Sequence, residues 1–478
     1  MAFPSENLTS LFSPLPYKAT YLPWVNNTHF TGLSFFLACL IPCFEPDSPL
    51  RRGILLLQII CIAQAFITPP PSDVHNTAVL YTGGVLMGNL LARYVDRLYL
   101  RTPEVAFHRL KTHHGKDDRS RGHGSNDSAS SSTGVTRPPI EDARKLPPSK
   151  RFLWMFELLA VTRGIGWDWQ VPGIPKCKPE LSRAQFLFAS LWRYIAMYAG
   201  LYLVSLISEE ILDGFSRIHH ASLRNVLLAL STNPVPMAIF IVLGWAMTIY
   251  SHFGLLTLPI SMICVGLGVG PPAWREPGAW LPNFGSLDEA YSIRRFWGYT
   301  WHQQLRRMAS APGAYLLSLL PVKVQRSNEL PIRLARRYGL VIASFLVSGL
   351  IHAAGSYNVT RATGLPISDG GEIRYFVMQG VAIIADDGVL WALGVDYRKG
   401  KREDGRWMRK LLGYLVTATW YIYTRVWFKA VPLAIAHGIR DDNGRGDLFA
   451  AVELVRRGAL AVPGNFVTAA VRHWINVS

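Results

Sequence analysis

The chain has 478 residues, half of them hydrophobic and only 17% charged, yet its formal net charge is +17. A soluble domain ordinarily carries roughly a quarter of its residues as Asp, Glu, Lys and Arg, so the composition excludes a conventional soluble enzyme and predicts a membrane protein with basic loops. Lys and Arg gather in short segments between apolar runs, where the positive-inside bias accounts for them, and no nucleic-acid partner is expected.

In chain order, residues 1–27 are polar and Pro-rich, without a basic n-region and small-residue cleavage site, so the first helix is expected to stay in the product. Apolar runs follow at 30–44, 53–68, 77–98, 184–207, 226–250, 253–269, 339–355, 373–395 and 411–436. At roughly 20 residues per crossing, with the short runs spanning by local thinning, they predict about eight or nine transmembrane helices and an all-α, multi-pass fold.

This divides the chain into N-terminal membrane helices (1–100), a Ser-, Gly- and Pro-rich basic loop expected to be disordered (101–151), a central membrane region (152–270), an interfacial segment (271–338) and C-terminal membrane helices (339–478). The Lys and Arg excess puts 101–151, 271–338 and 396–410 on the cytoplasmic side. The opposite side then holds the sequons at Asn7, Asn26 and Asn358 as candidate glycan acceptors. On this topology the region 226–270 must cross an odd number of times, and Asn233, Pro234 and Pro236 are expected to break its first run, one of the two being re-entrant. The five cysteines, Cys39, Cys43, Cys61, Cys177 and Cys264, form neither a disulfide framework nor a zinc spacing.

Three segments carry candidate chemistry. The first, "SIRRFWGYTWHQQLRRM" at 292–308, places Trp297, Trp301, Leu305 and Met308 on one face and Arg295, His302 and Arg306 on the other if it is helical. It reads either as a helix lying flat in the interface or, through Arg294, Arg295, Arg306 and Arg307, as a cradle for a phosphorylated cosubstrate near His302. The second, "FLVSGLIHAAGSYN", puts His352 in an uncharged apolar helix, where a neutral imidazole can take a proton from a hydroxyl or simply pack against Ser348 one turn earlier. The third, "IRYFVMQGVAIIADDGVLWALG", aligns Tyr375, Gln379 and Asp386 on one face with Asp387 beside it, a set suited to orienting a histidine, holding a coupling ion in a transporter, or bonding helices together. His108, His113, His114 and His123 lack regular ligand spacing, as do His219 and His220, so no metal site is expected. No G-x-S-x-G, P-loop or dinucleotide fingerprint is present.

The order "SLDEAYSIRRFWGYTWHQ", "SGLIHAAG", "YFVMQGVAIIADD" resembles the wax-synthase-like branch of the membrane-bound O-acyltransferases, including fungal acetyltransferases that decorate terpenoids and meroterpenoids. The matching residues are Phe296, Trp297, Trp301, His302 and His352, within a similar region spanning about 281–436. Asp386-Asp387 stands where relatives often have Glu-Asp, and Tyr299 and Thr300 stand where many have a basic residue. The resemblance implies transfer of an acyl group, acetyl first, from acetyl-CoA as cosubstrate to a hydrophobic alcohol entering from the bilayer, with no tightly bound cofactor and an endoplasmic-reticulum location. It makes His352 the general base and His302 the group that orients the thioester. Trp297, Trp301, Arg295 and Arg306 would hold coenzyme A, and Gln379 and Asp386 would orient the substrate. A long-chain wax-ester synthase and a transporter using Asp386 and Asp387 are the alternatives.

Overall fold

A computed structural model describes residues 25–71, 74, 76–110, 140–174, 181–364, 371–392, 394, 406–430, 433–434 and 447–460. Among the described residues the regular structure is helical except for one two-stranded ribbon, Arg109–Leu110 (β1) paired antiparallel with Ile140–Glu141 (β2). That ribbon, with the short helix Pro103–Ala106, shows that both flanks of the 101–151 loop are ordered; its centre, with the histidines at 113, 114 and 123, lies outside the described residues, as does Asn7.

The helices are α1 Asn27–Leu40, α2 Pro49–Ile67, α3 Thr77–Tyr94, α4 Pro103–Ala106, α5 Pro148–Ala160, α6 Arg183–Leu212, α7 Ala221–Thr232, α8 Pro234–Leu267, α9 Ile293–Arg295, α10 Arg306–Ser318, α11 Val322–Arg326, α12 Leu330–Thr363, α13 Gly371–Ala392, α14 Arg406–Arg425 and α15 Asp447–Leu460. Five of them, α2, α6, α8, α12 and α13, are long and apolar enough to cross a membrane. The run at 30–44 becomes the 14-residue α1, about 21 Å long and short of a hydrocarbon core of roughly 30 Å. In the runs at 77–98 and 411–436, α3 and α14 each pass into a turn of π-helix, Val95–Tyr99 and Val426–Ala430.

The two runs at 226–250 and 253–269 form no re-entrant pair. Asn233 caps α8 by accepting the amide of Val235 (3.0 Å), and Pro234 sits where its missing N–H costs nothing. The residues expected to break a helix therefore start one. The polar interruption at 251–252 is absorbed: Ser251 Oγ donates to Met197 O (3.4 Å) and the His252 ring meets Thr248 O (2.7 Å). One continuous helix gives the odd number of crossings that the charge distribution requires.

α12 is the centre of the molecule. It packs on α3 at Gly84 and Gly88, where an added Cβ at Gly88 would lie 3.0 Å from Ile351 O and one at Gly84 would collide with Ala354 O, the small-residue contact by which membrane helices approach closely. Asn358 is part of this seam. It is 4% exposed, accepts from Asn27 Nδ2 (2.7 Å), and donates its own amide to Leu80 O (2.7 Å). The nitrogen a glycan would need is already bonded and enclosed, so the structure removes Asn358 from the glycan acceptors. Asn26 instead caps α1.

Candidate active site

Residues 292–308 do not form the single helix on which the face assignment rests. Ser292 Oγ caps α9 by accepting from the Arg295 amide (3.2 Å), Phe296–Thr300 widen into one turn of π-helix, and 301–305 are irregular before α10. The cause is competition for backbone carbonyls: Gln303 Nε2 donates to Trp297 O (3.2 Å) and Trp301 O (2.7 Å), and Arg306 donates to Gly298 O (3.0 Å) and Pro172 O (2.8 Å). Such π-turns are frequent at functional sites. The break parts His302 from Arg295 and Arg306, correcting the face that grouped them.

The segment is inserted between α12 and α13 rather than laid flat. Arg294 grips Asp387 with two bonds (2.7 and 2.6 Å), and the same carboxylate accepts from Arg337 (2.8 Å) and Tyr338 Oη (3.0 Å). Asp386 faces the backbone amides of Ile293 and Arg294 at the start of α9. About two turns along α13, Gln379, fully buried, accepts from Trp297 Nε1 (3.4 Å) and Trp420 Nε1 (3.0 Å) and donates to Thr424 Oγ1 (3.1 Å). The structure thus places Asp386, Asp387 and Gln379 where they hold the motif segment.

From there a wall of rings connects the two histidines. His302 packs against Phe253 (centroids 4.6 Å), Phe284 (5.6 Å) and Trp301 (5.3 Å). Trp301 meets Trp297 (5.8 Å), Trp297 meets Phe376 (6.3 Å), and Phe376 lies 4.3 Å from His352. The imidazoles are near enough to interact electrostatically, and both keep part of their surface accessible although protein surrounds them. Burial, with a smaller contribution from the charge on Arg163, pushes the His302 pKa down to about 3, so this ring is neutral, and its Nδ1 has no partner among the described residues.

His352 sits on α12 with Nδ1 2.8 Å from Ser348 O. A carbonyl can only accept, so Nδ1 carries the proton and Nε2 keeps its lone pair. The partner anticipated one turn earlier is therefore present, through the backbone rather than the hydroxyl, and it sets the tautomer a base requires.

Arg295 and Arg306 are engaged elsewhere. Arg295 pairs with Glu289 and stacks on Tyr291 (4.7 Å) and Tyr299 (5.0 Å), while Arg306 is committed to the carbonyls named above and to Gln303 Oε1 (3.1 Å). Arg307 reaches across to Asp96 (2.8 Å).

Sequence reasoning passed over the charges nearest His352. Arg425 and Lys429, one turn apart in the apolar run 411–436, are 3% and 2% exposed, and Glu372, at the start of α13, is 2% exposed and accepts from Ser356 Oγ. Lys429 Nζ lies 4.7 Å from the Phe376 ring that stacks on His352, and the Arg425 guanidinium lies 4.0 Å over Trp245. The signal was available as two cations at i and i+4 inside a hydrophobic run, which points to a functional site. No group of three or more His, Cys, Asp or Glu able to hold a metal occurs among the described residues; His108 instead pairs with Asp168 (2.8 Å).

An enclosed imidazole with a free Nε2 is tied through rings to an aromatic motif segment between membrane-type helices. Residues 280–377, which contain both histidines, match the membrane bound O-acyl transferase family. The chain is 51% identical over 456 residues to the O-mevalon transferase macI of Penicillium terrestre, covering 95% of this chain and 96% of that one. It is 49% identical to the O-mevalon transferase yanI of Aspergillus niger, covering 93% of each, and 30% identical to an acetyltransferase of Arthrobotrys oligospora, covering 80% and 76%. No solved structure matches. The chain belongs to the membrane-bound O-acyltransferase family, and it is an O-acyltransferase acting on a hydroxyl.

Proposed function

We propose that the protein transfers an acyl group from an acyl-CoA to the hydroxyl of a hydrophobic terpenoid or meroterpenoid, with His352 as the general base. The observation that carries this reading is the His352 Nδ1 to Ser348 O bond, which leaves Nε2 as the acceptor inside an aromatic enclosure. The acceptor hydroxyl gives its proton to Nε2 while its oxygen bonds to the thioester carbonyl carbon. The tetrahedral intermediate then expels the coenzyme A sulfur, which takes the proton from the imidazolium, leaving an ester and a free thiol. His302, neutral and with an unused Nδ1, orients the thioester, and the indoles of Trp297 and Trp301 line the path between the two rings. Arg295 and Arg306, on the motif segment, meet the phosphates of coenzyme A by exchanging their present partners. Exclusion of water protects the thioester from hydrolysis.

For the transferred group, the relatives at 51% and 49% identity favour a mevalonyl group. Acetyl, the expectation from the sequence, is the second reading, supported by the acetyltransferase at 30%. The protein acts in the endoplasmic-reticulum membrane, and Asn7 and Asn26 remain its candidate glycan sites. The test is an assay of microsomes carrying the protein with mevalonyl-CoA and acetyl-CoA side by side against a panel of meroterpenoid alcohols, read by mass spectrometry. A mevalonyl ester that forms faster than the acetate, and that vanishes with His352→Ala, is the expected result; full turnover in that variant would falsify the base assignment.

A further inference from the structure

The enclosed centre beside His352 contains more positive than negative side chains. Arg425 and Lys429 approach it from α14 and the π-turn after it, against the single carboxylate of Glu372, which is held by Ser356. Among the described residues neither cation has a carboxylate within ion-pair distance. Arg425 lies over the face of Trp245 (4.0 Å) and hydrogen-bonds the Tyr375 side chain, and its buried Nε has no partner among the described residues. Lys429 rests among rings, 4.7 Å from Phe376, 5.6 Å from Tyr375 and 5.9 Å from Tyr81. Burying more cations than anions is costly, and rings replace only a small part of lost hydration. An arrangement of this kind is stabilised by negative charge that arrives during function.

We infer that Lys429, backed by Arg425, stabilises the oxyanion that forms on the thioester carbonyl when the acceptor oxygen attacks. This rests on the acyltransferase reading above. The geometry suits the role: Phe376 touches both the His352 ring at 4.3 Å and Lys429 Nζ at 4.7 Å, so base and ammonium border the same side chain. A carbonyl carbon attacked by an oxygen that is hydrogen-bonded to His352 carries its own oxygen a few ångströms from the base, in the region that His352 and Lys429 both border. As a lone pair of the acceptor oxygen forms the new C–O bond, the carbonyl π pair moves onto the carbonyl oxygen, stays there beside the ammonium, and re-forms the C=O bond as the C–S pair leaves with sulfur. No further reactant is needed. Arg425 acts through Lys429 as a positioning residue.

The experiment uses the full-length protein purified in detergent. Lys429→Met is expected to lower kcat by about 10² to 10³-fold, the loss typical of one oxyanion donor, with the KM for acyl-CoA changed less than threefold and Lys429→Arg recovering most of the rate. Binding of a trifluoromethyl ketone analogue of the acyl-CoA, whose adduct carries the oxyanion, falls in parallel with kcat, while binding of the carbonyl-free alkyl thioether is unchanged. If Lys429→Met fails to fold, Lys429→Gln and Arg425→Lys are read the same way. Wild-type kcat in the folded variants, or equal losses for both analogues, overturns the assignment. Retained turnover in His352→Ala instead overturns the underlying acyltransferase site, so the two failures are separable.

Discussion

The N-terminal region and the C-terminal site differ in what surrounds their buried basic residues. Among the described residues of the first region, buried Arg51 holds Glu104 with two bonds (2.6 and 3.1 Å), half-buried Arg109 bridges Glu141 (3.0 Å) and Glu157, and buried Arg97 donates to the carbonyls of Leu158 and Val161. Beside His352, Arg425 and Lys429 face mainly aromatic rings. A buried charge with its partners in place holds a fold together, whereas one without them is destabilising and persists where a reaction supplies the missing charge.

The difference can be broken most sharply at His352. His352→Ala is expected to lower turnover by about 10³-fold without reducing the yield of folded protein, because its one bond is to its own helix. Activity and size-exclusion profile, measured on one preparation, check both halves.

Asp387→Ala should do the reverse. It strands Arg294, Arg337 and the Tyr338 hydroxyl, and a buried ion pair broken on one side costs about 3–5 kcal/mol. With the two arginines about a third exposed, solvent takes up part of that loss and about 2 kcal/mol is expected, read as a lower Tm in detergent. Unchanged Tm would return the acidic pair to a role other than anchoring.

Gln379→Leu removes the acceptor shared by Trp297 and Trp420 and is expected to cost about 1–2 kcal/mol, with a several-fold fall in kcat as the ring wall loosens. Solvent quenching of tryptophan fluorescence should rise with it.

His302 gives a pH signature. Its folded pKa of about 3 lies below its ordinary value near 6.5, so the unfolded chain binds the extra proton between these values. Stability from this site is therefore complete above pH 6.5 and is lost as pH falls toward 3. His302→Phe should flatten that part of the stability profile while lowering kcat by about tenfold, the loss of an orienting group. An unchanged acid limb would mean the ring is already charged in the fold.

Membrane character and the helical class were legible because burial in lipid demands long apolar runs and internally bonded backbone. The motif residues were legible by type, since His352 has a polar group costly at that depth and Trp297 and His302 stand in a recognisable order. Their grouping was not. A helical wheel assumes that backbone carbonyls bond within the helix, and at 296–305 Gln303 and Arg306 take them instead. The fusion of two runs into α8 was hidden for a related reason, because Asn233 and Pro234 read equally as a break or as a start.

By itself, the sequence determined the class of environment, the helical class and the residue types with chemistry, all of which depend on composition and local order. Tertiary structure alone decided the rest: that the basic aromatic segment is wedged between α12 and α13, that its arginines are structural partners of Asp387, Glu289 and Asp96, and that Lys429 from a distant run comes to lie beside His352. Those outcomes depend on which donor reaches which acceptor across some 50 to 200 residues of chain, and only the packed helices bring those groups within the few ångströms at which hydrogen bonds and charges act.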